Sequence, residues 1–350
     1  MTVEKVDILE KTKGQSTALL PYTEEVAEST SAIYAQLSRQ YSEDHWRLLA
    51  PYIHEINELK RQKNAVILVH NYMTPDIFFG VGDIRGDSLK LAQEAAKTDA
   101  KIIVQCGVHF MAETSKILCP DKKVLMPDLL AGCSLAESIT GRDVRELKEK
   151  YPGVPVVSYV NTSAEVKAES DVCCTSSNAV KIVEAMGQEG HGMVIMTPDK
   201  FLAQNVAAQT NVKIIIWDGT CIVHERFTAQ DVKDIRKQHG DVIVLAHPEC
   251  PPEVMAEADF AGSTAQMDDY IRKNQPKKAV LMTECSMSDN VAAANPEVEM
   301  IGTCQMCPYM KRISLPKILK SLQTEEPEIH IDPKIATRAR RAVERMLELS

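Results

Sequence analysis

Three cysteine positions recur at nearly equal spacing, and they are the residues with the clearest capacity for shared chemistry. Cys133, Cys221 and Cys304 each follow a turn of small residues, and Cys307 lies three residues after the last of them. The intervals are 88 residues and then 83 or 86, depending on which of the last two thiols is counted. If equivalent turns meet, three thiolates converge. Such a set fits a cubane iron–sulfur cluster with one open iron better than structural zinc, which usually takes four ligands in closely spaced pairs.

Polar side chains that suit acid–base chemistry follow three strand-like runs of apolar residues. The runs end in His70-Asn71-Tyr72, Tyr159-Val160-Asn161 and His247-Pro248-Glu249. Ligands of α/β sheets bind beyond the carboxyl ends of the strands, so these groups are candidates for proton transfer and substrate orientation. His224 follows Cys221 closely and joins the same set. The alternative is structural, because a histidine or tyrosine at a strand end more often serves packing than catalysis.

Hydroxyl side chains precede helical patterns at corresponding points of the chain. Asp87-Ser88, Ser176 and Ser263-Thr264 each open such a pattern, and the three serines are 88 and 87 residues apart. Serine and threonine are favoured helix N-caps, which is the simplest interpretation. The functional interpretation adds an anion accepted at each helix N-terminus.

These landmarks keep one register, so the sequence predicts an internal triplication of α/β units. Each unit is small for independent folding, and we expect the three to pack into one body around a pseudo-threefold axis. Residues 1–28 are interpreted as a flexible leader, followed by a helical extension interrupted at Pro51. The predicted divisions are a leader and helical extension (1–62), three repeats (63–148, 149–236 and 237–322), and a C-terminal helix and tail (323–350).

Composition and charge narrow the class of protein. The hydrophobic content of 44% and charged content of 25% are ordinary globular values. A net charge of −9 without a basic stripe argues against a nucleic-acid partner. No apolar run approaches the ~20 residues that span a bilayer, and the first residues lack the order of a signal peptide. We therefore predict a cytoplasmic protein, whose ten cysteines are reduced thiols or metal ligands.

Longer strings that contain these residues are specific to one known family. They are His70-Asn71-Tyr72, Gly86-Asp87-Ser88, the segment 127–136 around Cys133, the segment 158–162, Cys174 to Asn178, Trp217 to Phe227, Ala246 to Glu249, Gly262 to Thr264 and Cys307-Pro308-Tyr309-Met310. At these strings the sequence resembles the quinolinate synthase family, the A protein of bacterial NAD biosynthesis. The resemblance runs from about residue 63 to about residue 320.

The resemblance implies a fold and a cofactor. The implied fold is three Rossmann-like α/β repeats around a pseudo-threefold axis, in agreement with the triplication. The implied cofactor is one oxygen-sensitive 4Fe–4S cluster held by Cys133, Cys221 and Cys307. The repeat pattern alone would equally nominate Cys304, but the family's ligand precedes a Pro-aromatic-Met sequence, as Cys307 does. A thiol switch described for some members uses a further upstream cysteine that this segment does not contain.

The resemblance also implies a reaction. Iminoaspartate condenses with dihydroxyacetone phosphate, with loss of phosphate and two waters, to give quinolinate. Contact with L-aspartate oxidase, which would supply the unstable imine, is a further hypothesis. The implied acid–base groups are His70, Tyr72, His224, His247 and Glu249. Histidine and glutamate need only modest pKa tuning to work near neutral pH. The implied substrate-binding residues are Asp87, Ser88, Tyr159, Asn161, Ser176, Ser263 and Thr264.

Three alternatives remain open at the level of sequence. Another cluster-dependent hydro-lyase would remove water from a single hydroxy acid without needing a triose phosphate. A non-catalytic iron–sulfur or redox-sensing protein would carry the cluster without turnover, but leaves the histidines, tyrosines and glutamate unexplained. A zinc-stabilised structural protein would contain zinc and be colourless.

Overall fold

Three four-stranded parallel sheets form the framework of the protein. The structure is a computed structural model that describes residues 20–303 and 305–350. The strands of the first sheet are β1 (Ala65–His70), β2 (Ile84–Gly86), β3 (Ile102–Cys106) and β4 (Lys123–Leu125). Those of the second are β5 (Val156–Tyr159), β6 (Val172–Cys174), β7 (Met193–Thr197) and β8 (Lys213–Ile216). Those of the third are β9 (Ile243–Ala246), β10 (Phe260–Ala261), β11 (Lys278–Met282) and β12 (Glu299–Ile301).

Helices connect the strands and cover the sheets. Before and within the first repeat they are α1 (Glu24–Leu37), α2 (Glu43–Gln62), α3 (Pro75–Gly80), α4 (Ser88–Lys97), α5 (His109–Leu118), α6 (Ser134–Glu137) and α7 (Gly141–Lys150). Next come α8 (Ala164–Glu169), α9 (Ala179–Gln188), α10 (Lys200–Ala207), α11 (Ala229–His239), α12 (Pro252–Glu257), α13 (Thr264–Asn274) and α14 (Cys285–Ala294). The chain closes with α15 (Leu315–Thr324) and α16 (Pro333–Leu349).

The strand order is the same in all three sheets. It is β2-β1-β3-β4, β6-β5-β7-β8 and β10-β9-β11-β12, with every pair of neighbours parallel. The predicted α/β class is confirmed, and the shared order is consistent with repeated Rossmann-like units. Strands β2, β6 and β10 are only two or three residues long, so no apolar run long enough to predict them is present.

Burial explains why the apolar runs become strands. The inner strands, such as β3 and β7, are covered on both faces by helices, so nearly every residue in them is buried. One hydrophobic core runs through the first two sheets and the C-terminal helices. A smaller core lies beside the second sheet, and two others lie around the third sheet. The polar residues predicted to form the site follow the carboxyl ends of the first strand of each sheet, β1, β5 and β9.

The N-terminal extension differs from the sequence prediction in two respects. Helix α1 begins at Glu24 after the cap Thr23, so part of the predicted leader is helical; residues 1–19 lie outside the described residues. Helix α2 runs through Pro51, and the predicted interruption there is wrong. The chain turns instead between α1 and α2, where Ser42 caps the second helix. Tertiary burial of Trp46, Ile53 and Ile56 keeps α2 continuous despite the missing proline N–H.

The predicted hydroxyl caps are correct at one of three positions. Ser263 caps α13 and forms a capping box with Gln266. At α4 the cap is Asp87, whose carboxylate accepts the N–H of Lys90, and Ser88 is the first helical residue. At α9 the helix begins after Asn178 rather than at the serines before it. Asp and Asn are as good N-caps as Ser, so sequence alone did not decide between neighbours.

The C-terminal helix α16 packs against the protein on one face. Ala339, Ala342, Val343 and Met346 are buried within the main core. Arg340 donates hydrogen bonds to the last carbonyl groups of α5 and so caps that helix in trans. Within the two described ranges, no helix is both long and apolar enough to cross a membrane.

Candidate active site

One cleft brings together residues from the loops of all three sheets. It is lined mainly by the loops that follow the strands, as expected for parallel α/β sheets. Of the residues predicted to form the site, every one except Ser263 lines it. They are His70, Tyr72, Asp87, Ser88, Cys133, Tyr159, Asn161, Ser176, Cys221, His224, His247, Glu249, Thr264 and Cys307. Cys304 lies outside the described residues.

The Glu249 carboxylate forms hydrogen bonds with three other residues of this cleft. It follows β9 and is 3% exposed. Its Oε1 atom accepts the hydroxyl of Tyr159 at 2.6 Å and the amide of Asn161 at 3.5 Å, and its Oε2 atom lies 2.8 Å from Nδ1 of His224. Burial alone would raise the pKa of Glu249, but the His224 and His247 imidazoles and these hydrogen bonds outweigh burial and hold its pKa below the usual range. The carboxylate is therefore ionised at neutral pH and acts as an acceptor.

His224 connects this carboxylate to two hydroxyl groups. Because Glu249 accepts a hydrogen bond from Nδ1–H, the Nε2 atom is the acceptor in the matching tautomer of the imidazole. That atom lies 2.9 Å from Oγ1 of Thr283 and 3.4 Å from the hydroxyl of Tyr72, and these two oxygens are 2.5 Å apart. The consistent arrangement has Tyr72 donating to Thr283, Thr283 to His224, and His224 to Glu249.

Two further imidazoles face the cleft in neutral form. Burial lowers the pKa of His70 to about 4 and that of His247 to about 3, against the opposing attraction of Glu249. The His247 ring stacks on His224 with ring centres 4.6 Å apart, and Nδ1 of His70 accepts the backbone N–H of Tyr72. The prediction that the histidines need only modest tuning is wrong for this pair, because full burial disfavours the imidazolium ion.

Two tyrosines keep their protons in the same environment. Burial raises the pKa of both Tyr72 and Tyr159, and the negative charge of Glu249 adds to the effect. Each phenol is therefore a proton donor rather than a phenolate at neutral pH.

The three thiols of Cys133, Cys221 and Cys307 share a backbone environment. Burial raises the pKa of each, to about 12 for Cys133, while backbone N–H groups act in the opposite direction. For each cysteine, the N–H donors belong to the residues two and three positions after it in the chain. N–H groups directed at sulfur stabilise thiolates and tune iron–sulfur clusters. The three thiols thus fit a cluster, because its positive irons would take the place of the thiol protons that burial otherwise retains.

Three other buried cysteines lack this environment. Burial raises the pKa of Cys106, Cys173 and Cys174, and backbone N–H donors are not among the groups that act on these thiols. Cys173 and Cys174 are fully buried within β6, in agreement with their interpretation as packing thiols.

A different set of donor atoms also has the proximity of a metal site. One atom each from Cys221, His224 and Glu249 lies within 4.8 Å of the other two. However, the His224 and Glu249 atoms are 2.8 Å apart, a hydrogen-bond distance. Two ligands at about 2 Å from a tetrahedral ion would be separated by about 3.3 Å. We therefore favour the hydrogen-bonded pair, with Cys221 assigned to the thiol set.

Three helix N-termini carry hydroxyl groups into the cleft. Ser88 at the start of α4, Ser176 in the turn before α9, and Thr264 at the start of α13 all line it. The hydroxyl of Ser263 is instead buried behind the cleft, where it caps α13 and lies 3.3 Å from Asp87. Among the described residues that line the cleft there is no lysine or arginine, so helix N–H groups are its main anion donors.

Sequence reasoning assigned no role to two residues beside the cleft. Thr283 and Glu284 are fully buried and follow β11 directly. Thr283 joins Tyr72 to His224, and Glu284 contacts the backbone of Cys307. Their position at the carboxyl end of a parallel strand was the available signal, but neither residue type is distinctive there.

The fold and the cleft together define an α/β enzyme with a buried acid–base site and potential metal ligands. The family model described as "Quinolinate synthetase A protein" matches residues 54–348, and the chain belongs to this family. The chain is 59% identical over 329 residues to "Quinolinate synthase" of Caulobacter vibrioides (strain NA1000 / CB15N), covering 94% of this chain and 90% of that protein.

Two other relatives support the same assignment. "Quinolinate synthase 1" of Mesorhizobium japonicum (strain LMG 29417 / CECT 9101 / MAFF 303099) is 58% identical over 322 residues, covering 92% of this chain and 98% of the relative. "Quinolinate synthase" of Xylella fastidiosa (strain 9a5c) is 60% identical over 297 residues, covering 85% and 87%. The family named from the sequence is therefore confirmed, and with it the assignment as an enzyme of NAD biosynthesis.

Proposed function

We propose that this protein condenses iminoaspartate with dihydroxyacetone phosphate to form quinolinate, with loss of phosphate and two waters. The observation that carries the proposal is the meeting of three thiols with an imidazole–carboxylate network in one cleft. Cys133, Cys221 and Cys307 come from three repeats and line the same space as His224 and Glu249. The names of the relatives point to the same product.

We assign the three cysteines as the ligands of one 4Fe–4S cluster. When bound, a cluster with one iron free of protein thiols supplies a Lewis acid that polarises a substrate oxygen or nitrogen. The paired N–H groups directed at each sulfur would stabilise the thiolates that such a cluster requires. The same assignment implies that the three repeats surround a pseudo-threefold axis, on which their cysteine loops meet.

The helix N-termini are proposed to hold the anionic groups of the substrates. Ser176 and Thr264 offer hydroxyl and N–H donors for phosphate and carboxylate oxygens. Asp87 and Ser88 line the same cleft, but the Asp87 carboxylate disfavours a nearby anion. We therefore assign this pair to a substrate hydroxyl or amine that can donate a proton to it. A substrate contact of Ser263 would require loss of the capping box, since its hydroxyl accepts the N–H of Gln266 and its own N–H donates to the Gln266 side chain.

The hydrogen-bonded series from Tyr72 to Glu249 is proposed to move protons. Tyr72 takes a proton from the substrate while its own proton passes through Thr283 to Nε2 of His224. The imidazolium formed in this way is paired with the Glu249 carboxylate, and the reverse movement delivers the proton to a leaving oxygen. Tyr159 and Asn161 orient intermediates, and both side chains keep their hydrogen bonds to Glu249 as they do so. A dianionic phosphate or dicarboxylate near His70 and His247 favours their protonated forms, so substrate binding would shift both toward acid catalysis.

The pathway context extends this proposal. Iminoaspartate is unstable in water, so transfer from L-aspartate oxidase in the cytoplasm is the proposed supply. Trapping experiments in mixtures of the two proteins would test it, and full escape of the imine to solution would contradict direct transfer.

The assay of the reaction uses anaerobic, iron-loaded full-length protein. Quinolinate is expected only when both dihydroxyacetone phosphate and a source of iminoaspartate are present. Iron-loaded protein that forms no quinolinate from both substrates would overturn the proposal. Dehydration of a single hydroxy acid in its place would assign the protein to the hydro-lyase alternative.

A further inference from the structure

Glu284 is a fully buried carboxylate with partners at the start of α14 and in the segment from Cys307 to Lys311. It precedes α14, and its Oε2 atom accepts the N–H of Ser286 at 2.9 Å. Its Oε1 atom accepts the N–H of Cys307 at 3.3 Å and lies 2.8 Å from Nζ of Lys311. A buried carboxylate is costly unless it is paired and hydrogen-bonded, and this one satisfies both conditions.

The same short region binds the Cys307 segment a second time. The backbone N–H of Cys285 donates to the carbonyl oxygen of Gln305 at 2.9 Å. Consecutive residues after β11 therefore contact both ends of the segment from Gln305 to Cys307. Since this segment is otherwise irregular, its course beside the cleft depends on these contacts.

Lys311 extends the network to the acid–base side of the cleft. Its ammonium group donates to the backbone carbonyl of Tyr72 at 2.9 Å and to the hydroxyl of Ser286 at 2.6 Å. Tyr72 is the residue whose phenol lies 2.5 Å from Thr283, the neighbour of Glu284 in sequence. The Glu284–Lys311 pair thus touches the backbone of a cluster thiol and the backbone of a proton donor.

We infer that Glu284 is a positioning residue that fixes the backbone of Cys307 and, through Lys311, keeps the thiol loop and Tyr72 in one geometry. The inference rests on the proposed function only in taking Cys307 as a cluster ligand. Both partners are withdrawn from solvent, since Lys311 is largely covered and Glu284 is not exposed at all.

Amide hydrogen exchange of the iron-free full-length protein tests the inference directly. It reports the Cys307 N–H itself, which Glu284 accepts, and does not depend on the reactivity of the thiol. In Glu284→Gln, exchange in peptides that contain Cys307 is expected to become about tenfold faster, the loss expected for a charge-assisted hydrogen bond. Peptides around Cys133 and Cys221 serve as internal controls and should keep their rates.

Three further variants sharpen the result. Lys311→Met is the milder substitution and keeps the inference testable if Glu284→Gln folds poorly. It should accelerate exchange in the same peptides. The double variant should accelerate exchange no more than the stronger single variant, because both substitutions disrupt the same network. Glu328→Gln removes the partner of Lys116, an ion pair of 3.0 Å far from the cleft, and should leave the Cys307 peptides unchanged.

The outcomes separate this inference from the proposed function. Equal acceleration around all three cysteines would indicate general loosening and overturn it, as would unchanged exchange at Cys307. In iron-loaded protein, Glu284→Gln should also lose iron faster to a chelator than Glu328→Gln does. Failure of the wild type to take up iron would contradict the cluster but leave the exchange result intact.

Discussion

The Nδ1 atom of His224 lies 2.8 Å from Oε2 of Glu249, and this contact joins the loop after β8 to the loop after β9. It places the imidazole proton on Nδ1 and leaves Nε2 as the acceptor for Thr283, 2.9 Å away. Two repeats are thereby coupled at one buried pair, and the direction of the proton series follows from it.

Glu249→Gln tests the acceptor role of the carboxylate. The amide removes the charge and leaves one acceptor oxygen where Tyr159 and His224 need two, so we expect kcat to fall by about 10²–10⁴-fold. Steady-state quinolinate formation measures the effect, with iron content checked in parallel. A variant with normal iron and near-normal kcat would contradict the role.

Thr283→Val tests the hydroxyl between Tyr72 and His224. Valine keeps the shape but removes the oxygen that both partners contact, so kcat should fall by about 10- to 100-fold, part of what an acid–base group supplies. The Tyr72 hydroxyl then keeps only its 3.4 Å contact with His224, which should also cost about 1–3 kcal/mol of the free energy of unfolding. Thr30→Val is a matched control, because Thr30 is equally buried and bonds only within α1.

Ser263→Ala and Thr264→Val separate capping from substrate contact. Loss of the Ser263 cap should lower the free energy of unfolding by about 1 kcal/mol with little change in KM. Thr264 lines the cleft, so its variant should raise KM for an anionic substrate. Thermal unfolding and steady-state kinetics on both variants check the pair, and a large KM effect at Ser263 alone would reverse the assignment.

The neutral state of His70 predicts how stability depends on pH. Its pKa falls from 6.5 in the unfolded chain to about 4 in the fold, mainly through burial. The stabilising contribution is complete above pH 6.5 and is lost as pH falls toward 4, because the unfolded state then binds more protons. Urea unfolding of iron-free protein at several pH values should show a weaker loss in His70→Gln. An equal acid sensitivity in both proteins would count against a buried neutral His70.

The repetitive features of this fold were predictable from sequence because each one is local. The long apolar strands, the loops that carry Cys133 and Cys221, and the polar groups after the first strands all reappear where the pattern indicated. The short strands β2, β6 and β10 were not predicted, since two or three residues carry no periodicity. The identity of helix caps was likewise undecided where Asp, Ser and Asn compete.

The contacts between repeats could not be predicted in the same way. The roles of Thr283 and Glu284 depend on partners 211 and 23 residues away in sequence, and no local pattern encodes such a pairing. The lowered pKa values of His70 and His247 depend on burial by the assembled fold. These properties arise only when the three sheets bring their loops together.

Iron and sulfide analysis of anaerobically purified protein tests the central claim most directly. The wild type is expected to contain about four irons per chain. Cys307→Ser should lose them, and Cys304→Ser should keep them. Retention of iron by Cys307→Ser with loss in Cys304→Ser would move the third ligand to the cysteine that the repeat pattern nominates. A colourless protein that stays iron-free after reconstitution would contradict the account.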